Sequence, residues 1–226
     1  MKKVTVTFSL IIFAITIYSI ERKYFWVESF NQASDSSIPK SWKGRTSLAK
    51  KYYRTAIHKK RKKDKYLKVD NLNSDMFIIK KLNIDIVKYP YLNWKWRVRK
   101  LPVGGNESIK NKADNGASIT VVLVASKWKP KSIKYSWSTT LKKGTVTKSP
   151  YCIWPAKCDI VVMRSGKKLK NKWVYEKRNV AEDYKKFYND FGVKSYKIEA
   201  LVIMSDSDNT KSVSAADYDN IYFSAK

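Results

Sequence analysis

A run of oxygen-bearing side chains follows the mostly apolar segment 198–204. Six consecutive residues there carry hydroxyl, carboxylate or amide oxygens: Ser205, Asp206, Ser207, Asp208, Asn209 and Thr210. A loop of this composition after a buried strand can supply the several oxygen ligands that a calcium ion requires, and the same atoms can bind the hydroxyls of a polyol. The loop therefore predicts a binding site for a cation or a sugar, with Asp206 and Asp208 as the candidate metal ligands.

Short strand-like segments separated by Gly, Asn and Pro recur from residue 52 onwards. We predict ten strands, at residues 52–57, 66–69, 76–80, 92–99, 118–125, 132–137, 159–164, 172–178, 196–204 and 220–224. Such spacing is typical of an all-β sandwich. Residues 180–191 have helical periodicity instead, with apolar side chains three and four positions apart and Gly192 as a C-terminal stop. The pattern predicts one short helix on a β-sheet body.

The predicted strand 92–99 alternates between apolar and polar side chains. Leu92, Trp94, Trp96 and Val98 share one face, and Asn93, Lys95, Arg97 and Arg99 share the other. Trp94 and Trp96 can stack on sugar rings or pack in the core, and the apolar neighbours on their face favour the core. Arg97 and Arg99, on the opposite face, are candidates for contacts with anions or hydroxyls.

The N-terminus has the composition of an export signal, because Lys2 and Lys3 precede the 17 uncharged, mostly apolar residues 4–20. Cleavage and retention as a membrane anchor are both open, since the cleavage site is poor and 17 residues approach the length of a membrane span. We predict a signal peptide or anchor (1–23), a polar lead-in (24–50) and one β-sandwich domain (51–226). The predicted location is the periplasm or cell envelope.

Cys152 and Cys158 are the only cysteines in the chain. In an exported protein, two cysteines this close in sequence favour a disulfide. A redox or metal-binding pair is the alternative, but the spacing is not CxxC and no histidine lies nearby. The pair therefore predicts a structural disulfide.

The chain carries 47 Lys and Arg against 19 Asp and Glu, a net charge of +28. This charge favours anionic polymers or lipids as partners. Lysine is abundant throughout, however, and the lysine-rich segment 59–65 lies between two predicted strands, where a solvated hairpin tip is expected. Export argues against a specific nucleic-acid partner. Contact with a membrane is expected only through an uncleaved leader.

Six segments form an ordered set of motifs: residues 89–107, 113–117, 133–138, 161–166, 173–180 with Asp183 and Tyr184, and 203–210. In order and spacing they resemble the bacterial DUF3047 family, a domain of unknown function, over about residues 40–226. The resemblance implies an exported jelly-roll β-sandwich similar to the galactose-binding-like carbohydrate-binding modules, without an established activity. It also implies the site residues Trp94, Trp96, Asp114, Trp137, Arg164, Glu176, Arg178, Asn179, Asp183, Asp206, Asp208, Asn209 and Thr210.

The chain departs from the family pattern beside Asp114. Asn115 stands where a second acidic residue is usual, and Ser118 and Ile119 stand where the family tends to carry arginine. A site built on that acid–arginine pair is therefore in doubt in this chain.

Glu176, Arg178 and Asp183 have a structural alternative to ligand binding. They can form a partly buried ion-pair network that fixes the predicted helix to the sheet, because buried charges must be paired.

His58 is the only histidine and lies beside the lysine run, which argues against a His-based triad or a His-rich zinc site. A carboxylate pair among Glu176, Asp183, Asp206 and Asp208 could serve glycoside hydrolysis, but the sequence does not fix their separation.

We therefore predict a carbohydrate- or polyol-binding module of the cell envelope. No organic cofactor is expected, and calcium is the candidate cation. A basic scaffold for anionic polymers or lipids and a carboxylate-dependent hydrolase are the alternatives.

Overall fold

A computed structural model of the protein describes residues 23–58, 61–124, 130–188 and 197–226. Within these ranges the chain forms thirteen strands, one α-helix and two short 3₁₀ helices, Ser47–Lys51 and Lys110–Lys112. The strands are β1 (Tyr24–Glu28), β2 (Lys43–Gly44), β3 (Tyr53–His58), β4 (Arg61–Leu72), β5 (Phe77–Asp85), β6 (Tyr91–Lys100), β7 (Ala117–Val124), β8 (Lys131–Ser138), β9 (Val146–Lys148), β10 (Lys157–Ser165), β11 (Val174–Asn179), β12 (Lys197–Met204) and β13 (Val213–Ser224). The helix α1 spans Val180–Tyr188.

The strands form two sheets. The first sheet has the order β11-β6-β13-β4-β3, with β1 also paired to β13, and the second has the order β2-β5-β12-β7-β8-β10-β9. Among the described strands, β8 and β10 form the one parallel pair. The chain crosses between the sheets repeatedly, since β4, β6 and β13 lie in the first and β5, β7 and β12 in the second. The predicted all-β jelly-roll sandwich with one short helix is confirmed.

Alternating side chains of the facing strands fill the space between the two sheets. Leu92, Trp94, Trp96 and Val98 of β6 all belong to this core, as the alternation predicts. The rings of Trp94 and Trp96 meet edge to face with centroids 5.3 Å apart, an arrangement that aromatic pairs prefer. The polar side chains of the same strand face outwards on the first sheet.

Residues 24–50 differ from the predicted lead-in, because they contribute two strands to the sandwich. β1 pairs with β13, and β2 pairs with β5. Trp42, which lies between β1 and β2 in the sequence, is buried in the core. The sequence of β1 lacks the usual alternation, since Tyr24, Phe25 and Trp26 are all exposed on a strand with a single neighbour. This irregular pattern explains why the strand was not predicted.

The predicted helix is confirmed from residue 180 to residue 188, and its last three residues lie outside the described part of the chain. β3 and β4 pair as an antiparallel hairpin, so most of the lysine-rich segment belongs to β4. The predicted leader, residues 4–20, also lies outside the described ranges. Across residues 23–58, 61–124, 130–188 and 197–226, no helix is long and apolar enough to span a bilayer.

Candidate functional site

The loop 205–212 connects β12 of the second sheet to β13 of the first. The Ser205 hydroxyl donates to the Gly116 carbonyl at 2.6 Å, and the Asp206 N–H donates to the Asn115 carbonyl at 3.0 Å. These bonds attach the start of the loop to the segment just before β7. The carboxylates of the loop therefore begin from a fixed backbone.

Asp114 holds the rest of the loop through four hydrogen bonds. Its Oδ1 accepts from the backbone N–H and the side-chain amide of Asn209, at 3.3 and 3.2 Å. Its Oδ2 accepts from the backbone N–H and the hydroxyl of Thr210, at 2.7 and 2.6 Å. One carboxylate oxygen each from Asp114, Asp206 and Asp208 lies within 4.8 Å of the other two. Five of the predicted site residues thus form one cluster.

This cluster borders a pocket of about 380 Å³ on the outer face of the second sheet, which we call the acidic pocket. Four strands contribute side chains to its base: Phe77 of β5, Lys134 of β8, Ile160 of β10 and Met204 of β12. Loop residues surround this base. The volume falls in the range of small-molecule sites, roughly 300–1,000 Å³.

Two carboxylates of the acidic pocket are buried, and each has an oxygen without a hydrogen-bond partner among the described residues. Glu107 is 0% exposed, and the Ser138 hydroxyl donates to its Oε2 at 2.5 Å. Asp206 is 6% exposed. Within the described part of the chain, Glu107 Oε1 and Asp206 Oδ1 have no partner. A buried acceptor without a partner costs roughly 1–3 kcal/mol, so both oxygens mark positions where a donor group or a cation would be stabilised.

Burial raises the pKa of Asp206 well above the usual value for an aspartate. The positive charge of Lys134 opposes the rise, while a hydrogen bond with Asp208 and the charges of Asp114 and Asp208 add to it. Burial also raises the pKa of Glu107, although nearby hydrogen bonds and Lys134 oppose it. In their protonated forms both groups can donate as well as accept hydrogen bonds.

Two cations balance part of this acidic charge. With the Asn115 amide in the orientation that satisfies both its oxygen and its nitrogen, Lys134 donates from Nζ to that oxygen at 2.8 Å. Arg45 forms an ion pair with Asp75 at the pocket rim. The residues that line the pocket include four carboxylates and these two cations, a formal charge of −2. In a chain of net charge +28 the pocket is a local acidic site, and it disfavours anionic ligands.

Tyr151 lies at one side of the acidic pocket and is attached to two other loops. Its hydroxyl donates to the Lys110 carbonyl at 2.8 Å and also contacts the side-chain oxygen of Asn209, while the residue as a whole remains 51% exposed. The next residue, Cys152, forms the predicted disulfide with Cys158, with Cα atoms 5.7 Å apart. The residue just before the disulfide loop therefore presents an aromatic ring beside the acidic groups.

Three residues predicted to contact a ligand lie in the core instead. Trp94, Trp96 and Trp137 are each 0% exposed. Trp96 and Trp137 donate from Nε1 to Glu176 Oε1 and to the Gly166 carbonyl, both at 3.1 Å. They cannot stack on a sugar from these positions, which corrects the ligand-binding role that the resemblance implies. For Trp94 and Trp96 it agrees with the core position that their apolar neighbours favour. The apolar face that they share with their neighbours places them between the sheets.

Arg97 is paired on the outer face of the first sheet, so it does not contribute to the acidic pocket. It donates to Asp217 at 2.7 and 2.6 Å, and its guanidinium lies 4.8 Å from the ring centre of Trp173. Arg99 donates to the same buried carboxylate at 2.9 Å. The predicted contacts of Arg97 with a ligand are replaced by these internal ones.

The remaining predicted residues form ion pairs around α1 and the neighbouring strands. Arg164 of β10 donates twice to Glu176 of β11, at 2.6 and 3.0 Å, and so joins the two sheets. Arg178 donates twice to Asp183 of α1, at 2.6 and 2.5 Å. Asn179 caps the helix by accepting from the N–H three residues later at 3.1 Å. These contacts agree with the structural alternative stated for Glu176, Arg178 and Asp183.

Sequence reasoning missed Glu107, Lys134 and Tyr151 as pocket residues. Glu107 ends a motif segment and Tyr151 adjoins a cysteine, so each had a weak signal, whereas Lys134 is one of 47 basic residues. The departure beside Asp114 also becomes clear. Asn115 accepts from Lys134 of β8, so a cation lies beside the segment where the resemblance implies an arginine.

A family model described as "Protein of unknown function (DUF3047)" matches residues 40–222. The chain belongs to the DUF3047 family. This match confirms the resemblance found in the motifs. No curated protein sequence matches the chain significantly.

Several solved structures resemble this DUF3047 protein at low identity. Endoglucanase 3 of Trichoderma harzianum, from family GH12, is 7% identical, with a TM-score of 0.42 and coverage of 89% of this chain and 93% of that chain. The module CBM27-1 of Caldicellulosiruptor saccharolyticus in complex with mannohexaose is 12% identical, with a TM-score of 0.40 and coverage of 82% and 91%. The module TmCBM61 in complex with β-1,4-galactotriose is 9% identical, with a TM-score of 0.39 and coverage of 88% and 97%. At these scores, neither their ligands nor their activities are transferred to this chain.

Proposed function

We propose that this protein is a binding module for a polyol, such as an end group of a glycan, and that the ligand binds in the acidic pocket. One observation carries the proposal. Glu107 and Asp206 are buried, line the same pocket, and each has an acceptor oxygen without a partner among the described residues. Sugar hydroxyls would donate to both oxygens and remove the free-energy cost of leaving them unpaired.

The apolar part of the pocket supports the same ligand class. Pyranose rings have C–H faces that pack on aromatic side chains, and Tyr151 offers a half-exposed ring beside the carboxylates. Phe77 and Ile160 supply further apolar surface at the base. A molecule with both hydroxyls and C–H faces fits this combination better than an apolar or an anionic molecule does.

The predicted export signal at residues 4–20 and the disulfide support a ligand outside the cytoplasm. A glycan of the cell envelope is therefore the partner class that we infer.

Thermal melts and calorimetric titrations test the proposal, with a panel of glycans that includes peptidoglycan fragments at low and high salt. We expect at least one glycan to raise the melting temperature at both salt concentrations, because a ligand that binds only the native state stabilises it. Tyr151→Ala should weaken that binding about ten-fold, which corresponds to roughly 1.4 kcal/mol of lost stacking.

The matched control is Tyr24→Ala, since Tyr24 is 53% exposed, close to the 51% of Tyr151, but lies on the first sheet. It should leave glycan affinity unchanged. Equal weakening by the two substitutions, or the absence of salt-resistant binding to every glycan, would contradict the proposal. Binding that high salt abolishes and that Tyr151→Ala leaves intact would instead indicate that the basic surface binds an anionic polymer.

A further inference from the structure

Three carboxylates beside the acidic pocket have the spacing of metal ligands. One oxygen each from Asp114, Asp206 and Asp208 lies within 4.8 Å of the other two. Three atoms at that mutual spacing lie at most about 2.8 Å from a common centre, close to the 2.3–2.6 Å of calcium–oxygen bonds. Shifts of a few tenths of an ångström would bring all three to calcium distance.

The cluster differs from an ordinary group of surface acids in two ways. Asp206 is only 6% exposed, and its Oδ1 has no hydrogen-bond partner among the described residues. Asp114 is fixed by its four hydrogen bonds to Asn209 and Thr210, so it cannot turn away from its neighbours. The protein therefore holds like charges together and leaves one buried oxygen unpaired, which a cation would stabilise.

The charge balance also leaves room for a divalent ion. The positive charge of Lys134 acts on Asp206, and its ammonium group is bound by the Asn115 side chain at 2.8 Å. Three carboxylates and one lysine have a formal charge of −2. A divalent ion would neutralise this excess.

We propose that Asp114, Asp206 and Asp208 bind a calcium ion at the edge of the acidic pocket. Calcium takes six to eight oxygen ligands, so three carboxylates leave positions that hydroxyls of a bound polyol can fill. This part of the inference rests on the proposed function and predicts that glycan binding depends on calcium. Magnesium requires bonds of about 2.0–2.1 Å, and closing the cluster that far would strain the hydrogen bonds that hold Asp114.

The test is a calorimetric titration of the EDTA-treated and dialysed full chain with calcium chloride alone, and then with magnesium chloride. We expect one calcium ion per chain, a rise in melting temperature, and at least about ten-fold weaker binding of magnesium. Asp208→Asn should weaken calcium binding at least about ten-fold, because it removes a charged ligand. The Asn209 amide bonds Asp208 Oδ1 at 3.0 Å, and an asparagine oxygen can accept the same bond, so the loop is preserved.

Glu199→Gln is the matched control, because it removes one carboxylate charge from an exposed position on β12 that does not line the pocket. Its calcium affinity should equal that of the parent. No binding of calcium by the parent chain, equal binding of the two metals, or equal losses in the two variants would each overturn the inference. Glycan binding in EDTA, together with an absence of calcium binding, would remove this inference and leave the proposed function standing. Calcium binding without binding of any glycan would support the calcium site and contradict the proposed function.

Discussion

Removal of the Glu176 carboxylate should destabilise the sandwich at a contact between its two sheets. Glu176 is 5% exposed and accepts from Trp96 Nε1 at 3.1 Å. It also accepts two hydrogen bonds from Arg164, whose side chain is 24% exposed. In Glu176→Ala, both donors lose their acceptor.

The expected loss follows from these contacts. An unpaired buried indole N–H costs roughly 1–3 kcal/mol. Breaking a fully buried ion pair costs roughly 3–5 kcal/mol, and the partial exposure of Arg164 reduces this to about 1–2 kcal/mol. The free energy of unfolding should therefore fall by about 3 kcal/mol, or about 10 °C in melting temperature for a domain of this size.

Urea unfolding and calorimetry measure this loss, with Glu199→Ala as the control. Glu199 is exposed on β12, so its substitution should change the free energy of unfolding by less than about 0.5 kcal/mol. A Glu176→Ala protein that loses less than about 1 kcal/mol would refute the reasoning. Unchanged stability with lost glycan binding would support the ligand-binding role that the family pattern implies for this residue.

Two further substitutions test the acidic pocket and the disulfide. The raised pKa of Glu107 means that the folded chain holds this proton more tightly than the unfolded chain, so the resulting stability is complete below about pH 4 and is lost as the pH rises towards the folded pKa. The melting temperature of Glu107→Gln should therefore rise relative to that of the parent as the pH is raised from about 4 to 8. Melts across that range measure the difference, and a difference that does not change with pH would contradict the prediction. Replacing Cys152 and Cys158 by serine opens a loop whose ends are six residues apart and should lower the free energy of unfolding by about 2 kcal/mol. Urea unfolding measures that change, and equal stability in the parent and the variant would show that the bridge does not constrain the unfolded chain.

Periodic patterns predicted the strands well, because alternation reflects which side of a sheet is buried. β6 is the clearest case, since its four inward residues are read directly from the sequence. β1 has no such pattern, because a strand with one neighbour can expose aromatic side chains on both faces. The sequence could therefore not distinguish it from an irregular lead-in.

Local sequence patterns predicted the candidate site only where its residues are adjacent in the chain, whereas Asp114 came from the family resemblance. Residues 205–210 were found because six oxygen-bearing side chains follow one strand. Glu107 and Lys134 reach the pocket from different segments of the chain, and their places inside the motif segments 89–107 and 133–138 do not single them out as pocket residues. For the tryptophans, the family pattern could not distinguish a buried indole from a stacking platform, because both uses select the same side chain.

The acidic pocket takes its side chains from segments that run from Arg45 to Asn209. A ribosome must therefore have synthesised the chain through Asn209 before the complete pocket can exist, and a ligand that needs the complete pocket cannot assist the folding of a shorter nascent fragment. Contacts of such long sequence separation also form late, because loop closure must precede them. A molecule that binds the proposed ligand has consequently assembled the strands of the second sheet that line the pocket. The amount of bound ligand would therefore measure the fraction of correctly folded molecules during refolding or secretion.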